Sequence, residues 1–274
     1  MIYTIEGQPF HVKIEGEGEP LLLLHGFTGS SASWSPLMKK LSTHYKVIAI
    51  DLIGHGASGK PDDPALYTME AMGSYLKKLL QILHIDHIHL LGYSMGGRFA
   101  LSFTVQYPDC VKTLILESSS PGLITKEERD KRIQNDHRLA RRIEKGGMAS
   151  FVDFWENVPL FSTQKKLPLR KKEEIRKQRL SNTERGLANS LIGMGTGAQP
   201  SYWEVLDSVA IPVLLLVGEH DQKFVSIGKK MENLLPQADF VQIYDAGHKI
   251  HVEQPEIFVK MVVAFLKKHA DSNL

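Results

Sequence analysis

Six short apolar runs divide the 274-residue chain, at residues 21–24, 47–50, 88–91, 113–116, 213–217 and 240–244. Runs that are apolar throughout, rather than at every second position, belong to strands buried on both faces. Such strands occur in parallel sheets with helices on either side. Between the second and third runs, Met69, Met72, Leu76, Leu79, Leu80 and Leu83 recur at helical spacing, which predicts a covering helix over 68–83. Ahead of the first run, residues 3–5 and 10–14 predict a β-hairpin around Gly7-Gln8-Pro9, with residues 16–18 turning the chain towards the sheet. The expected fold is α/β, a mostly parallel twisted sheet with helices on both faces.

The alternation stops between about residues 122 and 203, where charged helical patterns replace buried strands. Within 122–185 there are 17 Lys and Arg against 10 Asp and Glu, a net of +7 in a chain whose formal total is only +2. We expect an inserted helical cap over 122–203 on a core formed by 1–121 and 204–274. Most of its charges are expected to be solvated helix faces. A total of +2 argues against nucleic acid or a membrane surface as partner. The aliphatic runs are far too short for a membrane span. Cys110, the one cysteine, excludes an internal disulfide and suits a reducing compartment. With no basic and then apolar start resembling a signal peptide, a cytoplasmic location is expected. Nothing in the sequence bears on oligomeric state.

Gly92-Tyr93-Ser94-Met95-Gly96 matches G-x-S-x-G directly after a predicted buried strand and before a predicted helix. In that setting the glycines permit a tight strand-to-helix turn that presents Ser94 at the carboxyl end of the strand. His25-Gly26-Phe27 follows the first strand, so the backbone N–H groups of Phe27 and Met95 are candidates for an oxyanion hole. Asp221 and His248 follow the last two predicted strands, and the order Ser94, Asp221, His248 is one known for catalytic triads. Alternatives stay open: Asp221 could cap the next helix and leave Glu219 as the acid, and His248 is one of 12 histidines. Asp51 precedes the serine and is expected to be structural. His84, His87 and His89 lack a carboxylate or cysteine partner at ligand spacing, so no metal is expected. The loop 193–197 lacks the Lys-Ser/Thr of a phosphate loop, and no cofactor is expected.

HGFTGSSASW, GYSMGGR, SSSPGL, KRIQNDHRLA, GTGAQPSYW and GEHDQKF together resemble the 2-succinyl-6-hydroxy-2,4-cyclohexadiene-1-carboxylate synthases, menaquinone-pathway members of the α/β-hydrolase superfamily. The resemblance spans nearly the whole chain. It implies the α/β-hydrolase fold and a lyase that eliminates pyruvate from a cyclohexene bearing succinyl and enolpyruvyl groups. Such a partner is a small polycarboxylate with three negative charges. By the same resemblance, Arg98, Arg132, Arg179 and Trp155 match substrate-binding positions, and Tyr93 lies beside the serine. From the residues alone, Arg132 and Arg179 could equally be surface cations, Trp155 packing, and Tyr93 a wall of the site or a core aromatic. Arg98 stands apart, because the helix after such a turn is normally buried and a charge there needs a partner.

The expected chemistry has His248, oriented by Asp221, activating Ser94 as a base, with the Phe27 and Met95 amides stabilising the developing oxyanion. An esterase or C–C bond hydrolase would use the same triad, and a small-molecule receptor could keep the fold without turnover. A hydrolase of apolar esters has little use for three arginines together, and an intact triad argues against a receptor.

Overall fold

A computed structural model describes residues 1–270; the last four residues of the expected core segment, 271–274, lie outside the described residues. The strands are β1 (Ile2–Ile5), β2 (Gln8–Glu15), β3 (Pro20–Leu24), β4 (Lys46–Ile50), β5 (Ile88–Tyr93), β6 (Val111–Glu117), β7 (Val213–Gly218) and β8 (Ala238–Ile243). They form one sheet in the order β1-β2-β4-β3-β5-β6-β7-β8, antiparallel at β1–β2 and β2–β4 and parallel from β4 onward. The helices are α1 (Ser35–Leu41), α2 (Met69–Ile82), α3 (Met95–Gln106), α4 (Lys126–Trp155), α5 (Leu169–Leu180), α6 (Glu184–Met194), α7 (Gln222–Glu232), α8 (Ile250–Glu253) and α9 (Pro255–Lys268).

Each parallel strand feeds two cores, as the period of two in a strand requires. Leu22, Leu24, Leu90, Leu114 and Leu215 pack with Met72 and Leu76 of α2 and Phe99 and Phe103 of α3. Leu21, Leu23, Leu91, Ile115 and Leu214 face the other way, onto Leu37 and Met38 of α1 and Phe258 and Val262 of α9. A third, smaller core lies between α4 and α6, where Ile143, Phe151 and Val152 meet Leu187 and Leu191. The β1–β2 turn is tighter than expected. Ile5 pairs with Gln8, leaving only Glu6 and Gly7 in the turn, both at positive φ (49° and 78°). That conformation suits the twist of a two-residue hairpin and is easy only for residues such as glycine. Gln8 and Pro9 therefore belong to the strand.

Thr125 starts α4 through a reciprocal cap, accepting the Glu128 amide while the Glu128 carboxylate accepts the Thr125 amide. The helix breaks at Gly147 (φ 74°, ψ 167°) and resumes towards Trp155, which brings its second half across the carboxyl end of the sheet. Chain order and sheet order part company between β3 and β5: β4 lies on one side of β3 and β5 on the other. Parallel sheets bind ligands at such a reversal, beyond the carboxyl ends of the strands. Among the described residues no helix is long and apolar enough to cross a membrane.

Candidate active site

β5 ends at Tyr93 and α3 begins at Met95, so Ser94 alone makes the turn, at φ 51° and ψ −109°. A non-glycine residue there is strained. The turn is possible because its neighbours lack side chains: a Cβ on Gly92 would lie 2.4 Å from the Gly96 carbonyl oxygen, and one on Gly96 2.3 Å from that of Leu24. The Ser94 amide donates to Glu117 O (2.8 Å), and the Ser119 hydroxyl donates to Ser94 O (3.2 Å), so β6 braces the strained residue.

Ser94 Oγ lies 3.0 Å from His248 Nε2, and His248 Nδ1 lies 2.6 Å from Asp221 Oδ2. A carboxylate only accepts, so Nδ1 carries the proton and Nε2 is left to accept from the serine. Asp221 stands just before α7 but makes no side-chain cap there. Its carboxylate faces the histidine instead. Glu219, the other candidate acid, accepts the amide of Asp245 (3.0 Å). Asp51 is buried and ties loops together, accepting from Ser31 N (2.6 Å) and Ala57 N (2.8 Å). Among the described residues the amides of Phe27 and Met95 have no hydrogen-bond acceptor, and both residues line the cavity that holds Ser94 and His248.

That cavity measures ≈ 400 Å³, within the range of small-molecule sites (~300–1,000 Å³). Its near end is Tyr93, Ser94, Met95 and His248, and its far end holds Arg98, Arg132, Asn135 and Asp136. Arg98 is 9% exposed and donates to Gln199 Oε1 (2.7 Å) and to the Met194 carbonyl (2.9 Å). Both partners are neutral. Burial first, then the neighbouring Arg132 charge, lowers its pKa to about 10, against a raising effect from Asp136. Arg132 Nε holds Asp136 Oδ1 (2.8 Å), while Asp136 Oδ2 is buried without a partner. Trp155 lines the cavity against Phe27 and Phe161 (centroids 5.5 and 5.8 Å apart), and its Nε1 is buried without an acceptor.

Of the predicted site residues, Asp221 and Arg179 do not line this cavity: Asp221 stands behind His248, and Arg179 lies elsewhere. It is buried behind Phe161, with its guanidinium carbon 4.9 Å from that ring's centroid, Nη2 on Gln164 Oε1 (3.2 Å) and Nη1 3.6 Å from Glu156. The inward face of the basic helix α5 turns it there. Conversely, several lining groups were not anticipated. Lys223 joins the cavity from the first turn of α7, and Ser118, Ser119 and Ser120 from the end of β6. The glycine-rich loop 193–197, expected to be merely structural, supplies Met194 O to Arg98, and Gln199 follows it two residues on. Its Gly195 is also needed, since a Cβ there would lie 2.6 Å from Asp136 Oδ2. The run SSSPGL and the two small residues next to Met194 were the available signals, but their meaning depends on contacts made across a hundred residues. Among the described residues, no group of three or more His, Cys, Asp or Glu side chains is placed to hold a metal ion.

Known proteins resemble this chain over most of its length. Residues 19–255 match the family described as the alpha/beta hydrolase fold. A Bacillus subtilis (strain 168) protein, provisionally named a 2-succinyl-6-hydroxy-2,4-cyclohexadiene-1-carboxylate synthase, is 43% identical over 97% of each chain. A Photorhabdus laumondii protein named as the same synthase is 31% identical over 90% of this chain and 84% of its own. Among solved structures, MenH from S. aureus superposes with a TM-score of 0.91 at 36% identity, covering 96% of this chain and 99% of that one. A malate-bound thermophilic esterase from Thermogutta terrifontis superposes with a TM-score of 0.85 at 31% identity, covering 98% of both.

Proposed function

Because this chain belongs to the α/β-hydrolase fold family and, within it, to the 2-succinyl-6-hydroxy-2,4-cyclohexadiene-1-carboxylate synthases, we propose that it is a carbon–oxygen lyase of menaquinone biosynthesis. It eliminates pyruvate from 2-succinyl-5-enolpyruvyl-6-hydroxy-3-cyclohexene-1-carboxylate. The observation that carries this reading is the pairing of a serine-histidine-aspartate relay with a buried, carboxylate-free Arg98 in one cavity. An enzyme for neutral esters gains nothing from that arginine, whereas a substrate with three carboxylates supplies its missing counter-ion. Residues 1–121 and 204–274 serve as the catalytic core and 122–203 as the cap that closes over the ligand.

In this reading His248 takes the Ser94 proton, with Asp221 holding the imidazole in the required tautomer and stabilising its charge. The Ser94 oxygen removes the proton from the ring carbon that bears the succinyl ketone. That C–H pair becomes a ring double bond, the existing C=C shifts by one position, and the ring C–O bond breaks. The enolpyruvyl group departs with the bonding pair and is protonated to pyruvate. Negative charge that builds on the ketone oxygen meets the Phe27 and Met95 amides, donors of a kind whose loss typically costs ~100-fold or more. Arg98 and Arg132 hold carboxylates at the far end, Arg179 a further one, and the Trp155 N–H donates to one of them. The aromatic face of Tyr93 walls the reacting end. No acyl-enzyme forms, and water is no reactant.

The partner is thus a small polycarboxylate rather than nucleic acid, and the single cysteine, Cys110, fits a cytoplasmic setting. The test supplies the enolpyruvyl substrate and follows pyruvate, with p-nitrophenyl acetate in parallel. Pyruvate release that disappears in Ser94→Ala is the expected result. Rapid ester turnover without pyruvate would establish the esterase alternative instead.

A further inference from the structure

His248 is followed by a second buried charge with no evident task. Lys249 is 7% exposed, and among the described residues its ammonium has no hydrogen-bond acceptor and no carboxylate within ion-pair reach. The nearby carboxylates are engaged elsewhere. Glu117 accepts both the His251 amide (3.0 Å) and His251 Nδ1 (2.7 Å), and Glu253 accepts the amides of Gly247 (2.7 Å) and Lys249 (3.4 Å). The Lys249 ammonium lies 5.8 Å from the Tyr93 ring centroid and, with Arg179, lines a small cleft bounded by Gly26, Phe27, Phe161 and Gln178. Arg179, paired with Glu156 at 3.6 Å, and Lys249, which has no such partner among the described residues, therefore line the same cleft. A lone buried charge is costly until something of opposite sign arrives.

The cleft is no separate site. It shares Phe27, Tyr93 and Phe161 with the main cavity, and at ≈ 20 Å³ it has room only for the end of a ligand. We propose that Lys249, acting with Arg179, forms a second anion subsite that receives the terminal carboxylate of the substrate's succinyl arm. This rests on the lyase reading above. Connectivity favours that carboxylate over the other two. If the succinyl ketone oxygen sits on the Phe27 amide, its own carboxylate is only two methylenes further on, and the space beyond Phe27 is the cleft that starts at Gly26. The ring carboxylate and the enolpyruvyl carboxylate then fall to Arg98 and Arg132. Lys249 is a specificity-determining residue in this scheme. It touches the substrate far from the reacting carbon.

The test compares wild type with Lys249→Met, which keeps the length of the side chain and removes the charge. Three readouts are taken: steady-state pyruvate release, melting temperature without ligand, and the melting shift produced by succinate. The proposal expects KM to rise roughly 10- to 100-fold with kcat changed by less than about threefold, as for a lost charged contact in binding. It also expects a higher melting temperature for the ligand-free variant, and a succinate shift that is present in wild type and absent in the variant. An unchanged KM and an unchanged succinate shift would overturn it. So would a lower melting temperature, which would mark Lys249 as a structural counter-ion of Glu117 or Glu253. Wild type that releases no pyruvate yet shows a Lys249-dependent succinate shift would refute the lyase reading and leave the subsite standing. Wild type that releases pyruvate no better than Lys249→Met at low substrate would refute the subsite and leave the lyase.

Discussion

The two ends of the cavity are built on opposite terms. At the reacting end the catalytic side chains have their partners in place, Ser94 on His248 and His248 on Asp221, and the strained serine backbone is braced by Glu117 and Ser119; among the described residues the Phe27 and Met95 amides are left open, for the oxyanion. At the binding end the polar groups are left short. Arg98 has only neutral acceptors, and Trp155 Nε1 and the Lys249 ammonium in the adjoining cleft have none among the described residues. A constellation that is complete without ligand suits chemistry that is the same for every turnover. One that is incomplete suits recognition, because a ligand of the right charge supplies what is missing and a neutral one leaves it missing. The reacting end is therefore expected to be indifferent to substrate class, and the binding end to depend on it.

The largest effect should come from the reacting end. Asp221→Asn, which keeps the shape and removes the charge that fixes the His248 tautomer, is expected to cost about 10⁴ in kcat on any substrate. Pyruvate release and p-nitrophenyl acetate turnover, measured on the same preparation, should fall together. A loss confined to one of them would mean that the two reactions do not share the relay.

Next in size is the cavity wall. Gly195→Ala places a Cβ against Leu191 O and Asp136 Oδ2, at 2.2 Å and 2.6 Å. Forcing α4 and α6 apart there should destabilise the fold by ~1–3 kcal/mol. The same change should raise KM for the tricarboxylate, read by thermal denaturation and steady-state kinetics. Wild-type behaviour in both would mean that α4 and α6 do not need their close approach. Trp155→Phe is milder, keeping the ring stacked on Phe151 (centroids 5.6 Å apart) and removing one donor. A roughly three- to tenfold rise in KM with stability unchanged is expected, and no change in KM would reduce Trp155 to packing.

The smallest effect is in pH. Burial, and then the charge of Arg179, lower the pKa of Lys249 to about 8. The charged groups around it are Glu117 from β6, Arg179 and Lys171 from α5, and Glu253 from α8, and the titratable Tyr93 and His251, both kept neutral by burial, complete its surroundings. Its ordinary value is 10.5, so between about pH 8 and 10.5 the unfolded chain binds more protons than the folded one. The penalty for burying the ammonium is full below that window and fades as pH rises through it. Stability attributable to Lys249 should thus increase above pH 8, while KM for the tricarboxylate worsens over the same range. Lys249→Met should show neither trend. If both persist in the variant, another group is responsible.

Much of the reacting end was legible in the sequence because it is local. A buried strand, two small residues, a serine and a helix occupy consecutive positions, so steric demands on the backbone appear directly as residue types. Arg98 was legible for a related reason: a charge in a run that must be buried needs a partner. The same argument applies to Lys249, which follows His248 in the fully buried stretch 246–250, but the burial of that stretch is not evident from its residue types. Gln199, Lys223, Asn135 and the serines after β6 were not legible. Their positions are set by how α4, α6 and α7 pack over the sheet, and no local pattern encodes that. Arg179 shows the limit of matching motifs, since it lies behind Phe161 in a side cleft that no spacing foretells.

The central claim is that one end of the cavity performs the reaction while the other selects a polycarboxylate for it. Arg98→Ala, assayed in parallel on the enolpyruvyl tricarboxylate and on p-nitrophenyl acetate, tests it most directly. The account predicts that kcat/KM falls ~100-fold or more on the tricarboxylate, as expected for a buried charge pair that is lost, and less than about fivefold on the neutral ester. Equal losses on both substrates would contradict it, and would make Arg98 a structural residue of α3.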